Sequence, residues 1–221
     1  MRKITKGDEP VSFTEWRQDK PPEQDMNDRF KQIHTEERWD ILRDLRRSCA
    51  AEQYSLCCYC CGSISDDSFR MNEHVKARNA YPEQSLDYGN IAASCKNRNQ
   101  CDKAHGDQEL PLTPFMDECE IELEFYISGR VKGRTPRAEE TIRVLNLGDN
   151  EANNERLITQ RKAAIEALLG KDGYTADNWQ LEDDDILEMM LDDLDTPENG
   201  KLEPYAPVLQ RILEGWLNLK Q

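Results

Sequence analysis

The chain has 221 residues, 37% of them hydrophobic and 33% charged, with a formal net charge of −15. That length suits one catalytic domain with elaborations, or a small domain with a helical extension, and no apolar run approaches the roughly 18 residues that span a bilayer. The opening MRKITKGDEP is charged and has no apolar segment of the secretory type, so the expectation is a cytoplasmic protein that does not enter a membrane.

Residues 1–23 are polar, carry Pro10, Pro21 and Pro22, and read as an extended arm. From Met26 to Glu52 apolar residues recur at helical spacing (Phe30, Ile33, Trp39, Ile41, Leu42, Leu45, Cys49), and Thr35–Arg38 offers a cap for a second helix inside the stretch. LCCYCCG at 56–62 reads as a knuckle leading into a short hairpin, and residues 73–110 as loop with small helices. EIELEFYI at 120–127 alternates as a strand does, with Gly129–Arg134 turning it back. Beyond Thr135 the pattern is helical: Ala138–Leu147, Asn150–Leu169 ended by Gly170, Asp183–Leu194 and Tyr205–Leu219. Three segments are therefore expected: an N-terminal arm and helices at 1–52, a core at 53–134 and an acidic helical region at 135–221.

A net negative charge is unusual for a nucleic-acid binder. Residues 171–221, however, hold 13 acidic against 4 basic side chains, so more than half of the excess lies in that tail. The stretch 182–195 (EDDDILEMMLDDLD) sets a Leu/Ile/Met stripe among its acids. Such a helix either packs on the protein's own core or docks a partner and repels nucleic acid from the free protein.

The eight cysteines are Cys49, Cys57, Cys58, Cys60, Cys61, Cys95, Cys101 and Cys119. Clustered cysteines without a secretion signal point to metal rather than disulfides. Cys57-x2-Cys60 offers two sulfurs from one tight turn, and Cys95-x5-Cys101 can complete a tetrahedral thiolate site for structural zinc. CCYCC also permits a Cys58/Cys61 register, and the plain alternative is a group of buried free thiols. Cys49 and Cys119 read as buried thiols, and His34, in a charged helical stretch, is given no role.

Between the cysteine pairs, Glu73-His74 puts a carboxylate and an imidazole on adjacent residues, which point opposite ways on an extended chain. DYGNIAASC follows at 87–95, and CDKAHGD at 101–107. The order C-x2-C, Glu-His, Asn-Ile, Cys and C-D-x2-H-G resembles the HNH endonuclease superfamily over residues 57–107. More narrowly, the N-terminal MRKITKG…EP together with CxYC, EHVK, DYGNIAASC and CDKAHGD resembles the HNH nuclease subunit (the PtuB family) of Septu-type anti-phage systems, found also beside some retrons.

The resemblance implies an α+β fold: a zinc-stapled ββα-metal core, with N-terminal helices packed on it and a helical C-terminal extension. It implies hydrolysis of nucleic-acid phosphodiesters, DNA or RNA, around one catalytic Mg²⁺ or Mn²⁺. His74 would be the general base. Glu73 and Asp102 would hold the divalent cation, and Asn90 would fix the His74 loop through backbone hydrogen bonds. His105 stands where many relatives carry Lys, either as a ligand or as a phosphate contact, and whether it or Asp102 is the third motif residue stays open. Lys76, Arg78, Lys96, Arg98 and Lys103 flank the site, either as phosphate contacts or as ordinary solvated charges. The resemblance further implies an ABC/SMC-type ATPase partner. The competing reading is a catalytically silent, zinc-stabilised adaptor that binds nucleic acid or protein.

Overall fold

A computed structural model describes residues 1–170 and 184–220. The protein is α+β: eight helices among the described residues surround two separate two-stranded antiparallel sheets. None of these helices is long and apolar enough to cross a membrane.

The first departure from the sequence reading lies in the arm. Residues 11–18 form helix α1 (Val11–Gln18), begun at Pro10, whose carbonyl accepts from the amides of Phe13 and Thr14. Its core face is only Phe13 and Trp16, too short a stripe to stand out among polar residues. Burial comes from elsewhere: Arg29 lies 3.7 Å from the Trp16 ring and donates to the Trp16 carbonyl.

Helix α2 (Met26–Thr35) starts under the Asp25 carboxylate, which accepts from the amides of Asn27 and Asp28. The predicted cap at Thr35–Arg38 is instead the end of this helix. Glu37 adopts φ +53°, the Arg38 amide returns to the Ile33 carbonyl and the Glu37 amide to that of His34. These are the two bonds of a Schellman close. Helix α3 (Trp39–Glu52) follows with Arg38 at its N-cap and no side-chain bond there.

Helix α3 buries Ile41, Leu42, Leu45, Cys49 and Ala50 against the first sheet. That sheet pairs β1 (Arg70–His74) with β2 (Ile91–Cys95), Glu73 opposite Ala92 and His74 opposite Ile91. Strand β2 replaces part of the expected loop. IAASC is buried at every position, so it carries no alternation to betray a strand. Gln53, just past α3, pins it: its amide donates to the Ala93 carbonyl and accepts from the Ala93 amide, both at 2.7 Å. A one-turn helix α4 (Asp102–His105) comes next.

The second sheet is the expected hairpin, shortened to β3 (Leu123–Phe125) and β4 (Val131–Gly133). Helices α5 (Pro136–Leu145), α6 (Glu151–Gly170), α7 (Asp184–Asp195) and α8 (Ala206–Lys220) then follow, close to the predicted bounds. The predicted start at Asp183 lies outside the described residues. Thr135 caps α5 and Asn146 ends it in the left-handed region. Helix α7 turns Leu187, Met190 and Leu194 into the core and packs on α8, which is the own-core reading of the acidic stripe. One buried cluster runs from Met1 to Leu213 and takes side chains from all three expected segments.

Candidate functional site

Strand β2, the knuckle and α4 bring four cysteines together. Among the described residues Cys57, Cys60, Cys95 and Cys101 form the one group of three or more ligand-type side chains whose donor atoms lie within 4.8 Å of one another, all four buried. The register ambiguity is thereby resolved for the 57/60 pair. Cys61 takes φ +61° to close the knuckle, and its carbonyl accepts from the Tyr205 amide. The Cys58 amide instead donates to the Ala93 carbonyl.

The donor set around the sulfurs fits a tetrathiolate metal such as zinc. The Cys95 amide donates to the Cys57 Sγ at 3.3 Å, and the Asn97 amide to the Cys95 Sγ at 3.5 Å. Gln100 reaches both Cys95 and Cys101 sulfurs, at 3.8 and 3.9 Å. N–H groups aimed at sulfur are the outer shell that thiolate ligands need. Burial and the neighbouring Cys57 push the Cys101 thiol well up. A divalent ion removes that penalty by replacing protons.

The second constellation adjoins the first. Glu73 leaves β1 toward α4, and its Oε1 accepts from the Tyr59 hydroxyl at 2.7 Å and contacts the His105 Nδ1 at 2.6 Å. Burial raises the Glu73 carboxyl, against hydrogen bonds from Asp102 and Tyr59 that lower it. Asp102 is driven up to about 8 by burial and by its contact with Glu73. Neighbouring carboxyls of like charge each disfavour the other's ionised form. Among the described residues these two belong to no cluster of three ligand-type side chains.

His105 is 1% exposed, and its other nitrogen, Nε2, meets the Gln108 carbonyl at 2.8 Å. Both ring nitrogens are thus engaged, and His105 contacts Glu73 directly.

His74 leaves β1 the other way. Its Nε2 lies 3.0 Å from the Ser85 carbonyl. A carbonyl only accepts, so Nε2 carries the hydrogen and Nδ1 keeps its lone pair. Phe30 meets the ring edge-on at 4.6 Å. Burial lowers the imidazole to about 3, helped by Arg78. Asn90 holds the loop as expected: Oδ1 accepts from the Lys76 amide at 2.7 Å, and Nδ2 donates to the carbonyls of Lys76 and Gln84. The next residue, Ser85, is the one that holds His74.

Of the flanking cations, Arg78 donates to the Asn27 Oδ1 at 3.3 Å. It is half-buried, lies over the Phe30 ring at 4.9 Å, and feels Asp107, Asp102 and Glu73. Lys103 pairs with Asp102 at 3.6 Å. Tyr59, Ser85, Gln100 and Asn97 are the site residues that sequence reading missed. Tyr59 had a usable signal, a tyrosine inside the knuckle; the others act through contacts that no local pattern announces.

The chain is thus an α+β protein with a four-cysteine metal-type centre beside a carboxylate–imidazole group. In comparison with known proteins, no family model and no curated protein matches it.

Proposed function

We propose that the protein is an HNH-type endonuclease, hydrolysing nucleic-acid phosphodiester bonds with a divalent cation at Glu73 and Asp102. The observation that carries this reading is the placement of Glu73 and Asp102: a buried carboxylate held by Tyr59 and His105, a partly buried one whose carboxyl is raised by burial and by Glu73, and next to Glu73 a histidine whose Nε2 meets the Ser85 carbonyl. The order β1, β2, α4 around them, stapled by the four cysteines, supports a zinc-bound ββα core.

A Mg²⁺ or Mn²⁺ ion supplies neutralisation of charge on the leaving oxygen. The chain's own residues do the rest. Tyr59 and His105 aim Glu73. Asn90 holds residues 76 and 84, so that the Ser85 carbonyl keeps the His74 Nε2–H in place. Nδ1 is then the atom that takes the proton from water. Resting burial holds His74 neutral, and an anionic phosphate entering beside it raises its proton affinity. Arg78 would meet that phosphate.

By its resemblance to the Septu-type subunit, the protein would act as an anti-phage effector controlled by an ABC/SMC-type ATPase, including in retron-linked settings, within the cytoplasm. One observation favours the silent-adaptor alternative: Glu73, His74 and His105 are all buried, at 4%, 8% and 1% exposure. The deciding experiment is cleavage of plasmid DNA and total RNA with Mg²⁺ or Mn²⁺, by wild type and His74→Ala, with and without the ATPase. Cleavage by wild type alone, abolished by chelator, supports the nuclease and names its polymer. Silence of the wild type in every arm leaves the adaptor.

A further inference from the structure

Helix α6 reaches the knuckle through Tyr205: Gln160 accepts from the Tyr205 hydroxyl at 3.1 Å, and a Cβ on Gly62 would stand 3.1 Å from that hydroxyl and 3.5 Å from the Cys60 Sγ. Arg161, in that helix, has no exposed surface. Its Nη1 donates to the Leu147 carbonyl at 2.7 Å and to that of Gly129 at 3.4 Å. Its Nε and Nη2 are buried and find no acceptor among the described residues. A dehydrated guanidinium with two unpaired nitrogens costs several kcal/mol unless negative charge stands close. Burial works against its charge, and the groups that most favour it are Cys60, Tyr205, Cys61 and Cys101, none of them a carboxylate. Neutral thiols supply little. Four thiolates around a divalent zinc carry a net charge of about −2.

We propose that Arg161 is the buried counter-cation of the four-cysteine metal centre, and that metal loading of this centre is what docks helix α6 on the core. A second thread joins the same parts. At Asn154 the backbone of α6 is non-helical (φ −154°, ψ 67°). There the Asn154 amide donates to the Gln100 Oε1 at 3.0 Å and to the Asn146 carbonyl at 2.8 Å. Gln100, so oriented, presents its own amide to the Cys95 and Cys101 sulfurs. The seat of α6 is close-fitting as well: a Cβ on Gly129 (φ +83°) would stand 2.2 Å from the Ile158 carbonyl oxygen. An anionic centre therefore attracts α6 through Arg161, whereas an empty centre with protonated thiols leaves its charge balanced only by two carbonyls on Nη1 and by the Phe125 ring at 5.1 Å.

This inference rests on the metal centre and not on nuclease activity, and its test reads no cleavage. Cobalt titration followed by its thiolate charge-transfer absorption compares wild type with Arg161→Met and Arg161→Lys. Loss of the charge should weaken cobalt binding about 10- to 100-fold, the range of outer-shell changes, while Arg161→Lys stays within about threefold of wild type. Equal affinity for Arg161→Met and wild type overturns the proposal. So does a lysine variant as weak as the methionine one, since that marks a packing role. Should Arg161→Met fail to fold, the lysine variant decides: folded and metal-binding supports a counter-charge, unfolded overturns it. Hydrogen exchange on zinc-loaded and chelator-stripped wild type reads the docking, with amides of α6 losing protection on stripping. Unchanged protection of α6 overturns that part.

Discussion

The two constellations share a wall of the fold and are built on opposite principles. The cysteine centre is closed. Its four donors are buried, and N–H groups reach the sulfurs of Cys57, Cys95 and Cys101. The carboxylate–imidazole group is left incomplete. Glu73 raises the Asp102 carboxyl, and among the described residues the His74 Nδ1 makes no hydrogen bond. A structural metal site gains stability from saturating its ligands, whereas a catalytic one must keep room for water and substrate. The contrast teaches that the first site supports the architecture of the second: Tyr59, which holds Glu73, sits inside the knuckle between Cys57 and Cys60.

The largest expected effect separates the sites by stability. Cys57→Ser or Cys101→Ser should lose stoichiometric zinc and the main thermal transition, since structural zinc contributes on the order of 10 kcal/mol to small metal-bound folds. Cys58→Ala should keep both. Metal analysis and calorimetry check this, and a zinc-free but equally stable Cys101→Ser would break the contrast.

Next comes chemistry without stability. His74→Ala should lower cleavage by about 10²- to 10⁴-fold while retaining zinc. A variant that cleaves like wild type removes His74 from the mechanism.

The third concerns acid. His74 is held at about 3 in the folded chain, against about 6.5 unfolded. Between those values the unfolded chain binds the extra proton, so the group's contribution is complete above about pH 6.5 and is lost as pH falls toward 3, at up to about 1.4 kcal/mol per unit. Denaturant melts from pH 7 to 4 should show His74→Phe less acid-sensitive than wild type. The wild-type imidazole should also show no NMR titration between pH 5 and 8, and a midpoint in that range would place His74 in water.

A smaller effect has the opposite sign from most substitutions. Asp102→Asn removes a carboxyl held up to about 8. The metal-free protein should gain on the order of 1 kcal/mol at neutral pH, while stabilisation by added Mg²⁺ disappears. Thermal melts with and without Mg²⁺ read both halves, and a destabilised variant that still responds to Mg²⁺ would contradict the ligand role. The smallest is Arg78→Ala: binding to nucleic acid should weaken across all sequences, with the salt slope lower by about one. An unchanged slope would move the phosphate contact elsewhere.

Much of the site was legible because its chemistry lies in residue types at short spacing. Cys57 and Cys60 lie in one turn, Glu73 and His74 on one strand, Asn90 opposite the loop it holds. The strand IAASC was not legible, because burial on both faces erases alternation. Helix α1 was not, because two apolar residues among polar ones make no stripe.

By itself, then, the sequence determined which atoms are available: thiols in pairs, a carboxylate next to an imidazole, a helical and acidic C-terminal half. Only the tertiary structure decided which of them meet. The knuckle register, the contact of His105 with Glu73 and the burial of Arg161 each join residues far apart in the chain, 32 positions apart for His105 and Glu73. Local periodicity reports on a residue's own helix or strand, and it carries no record of partners that chain folding alone brings within hydrogen-bonding distance.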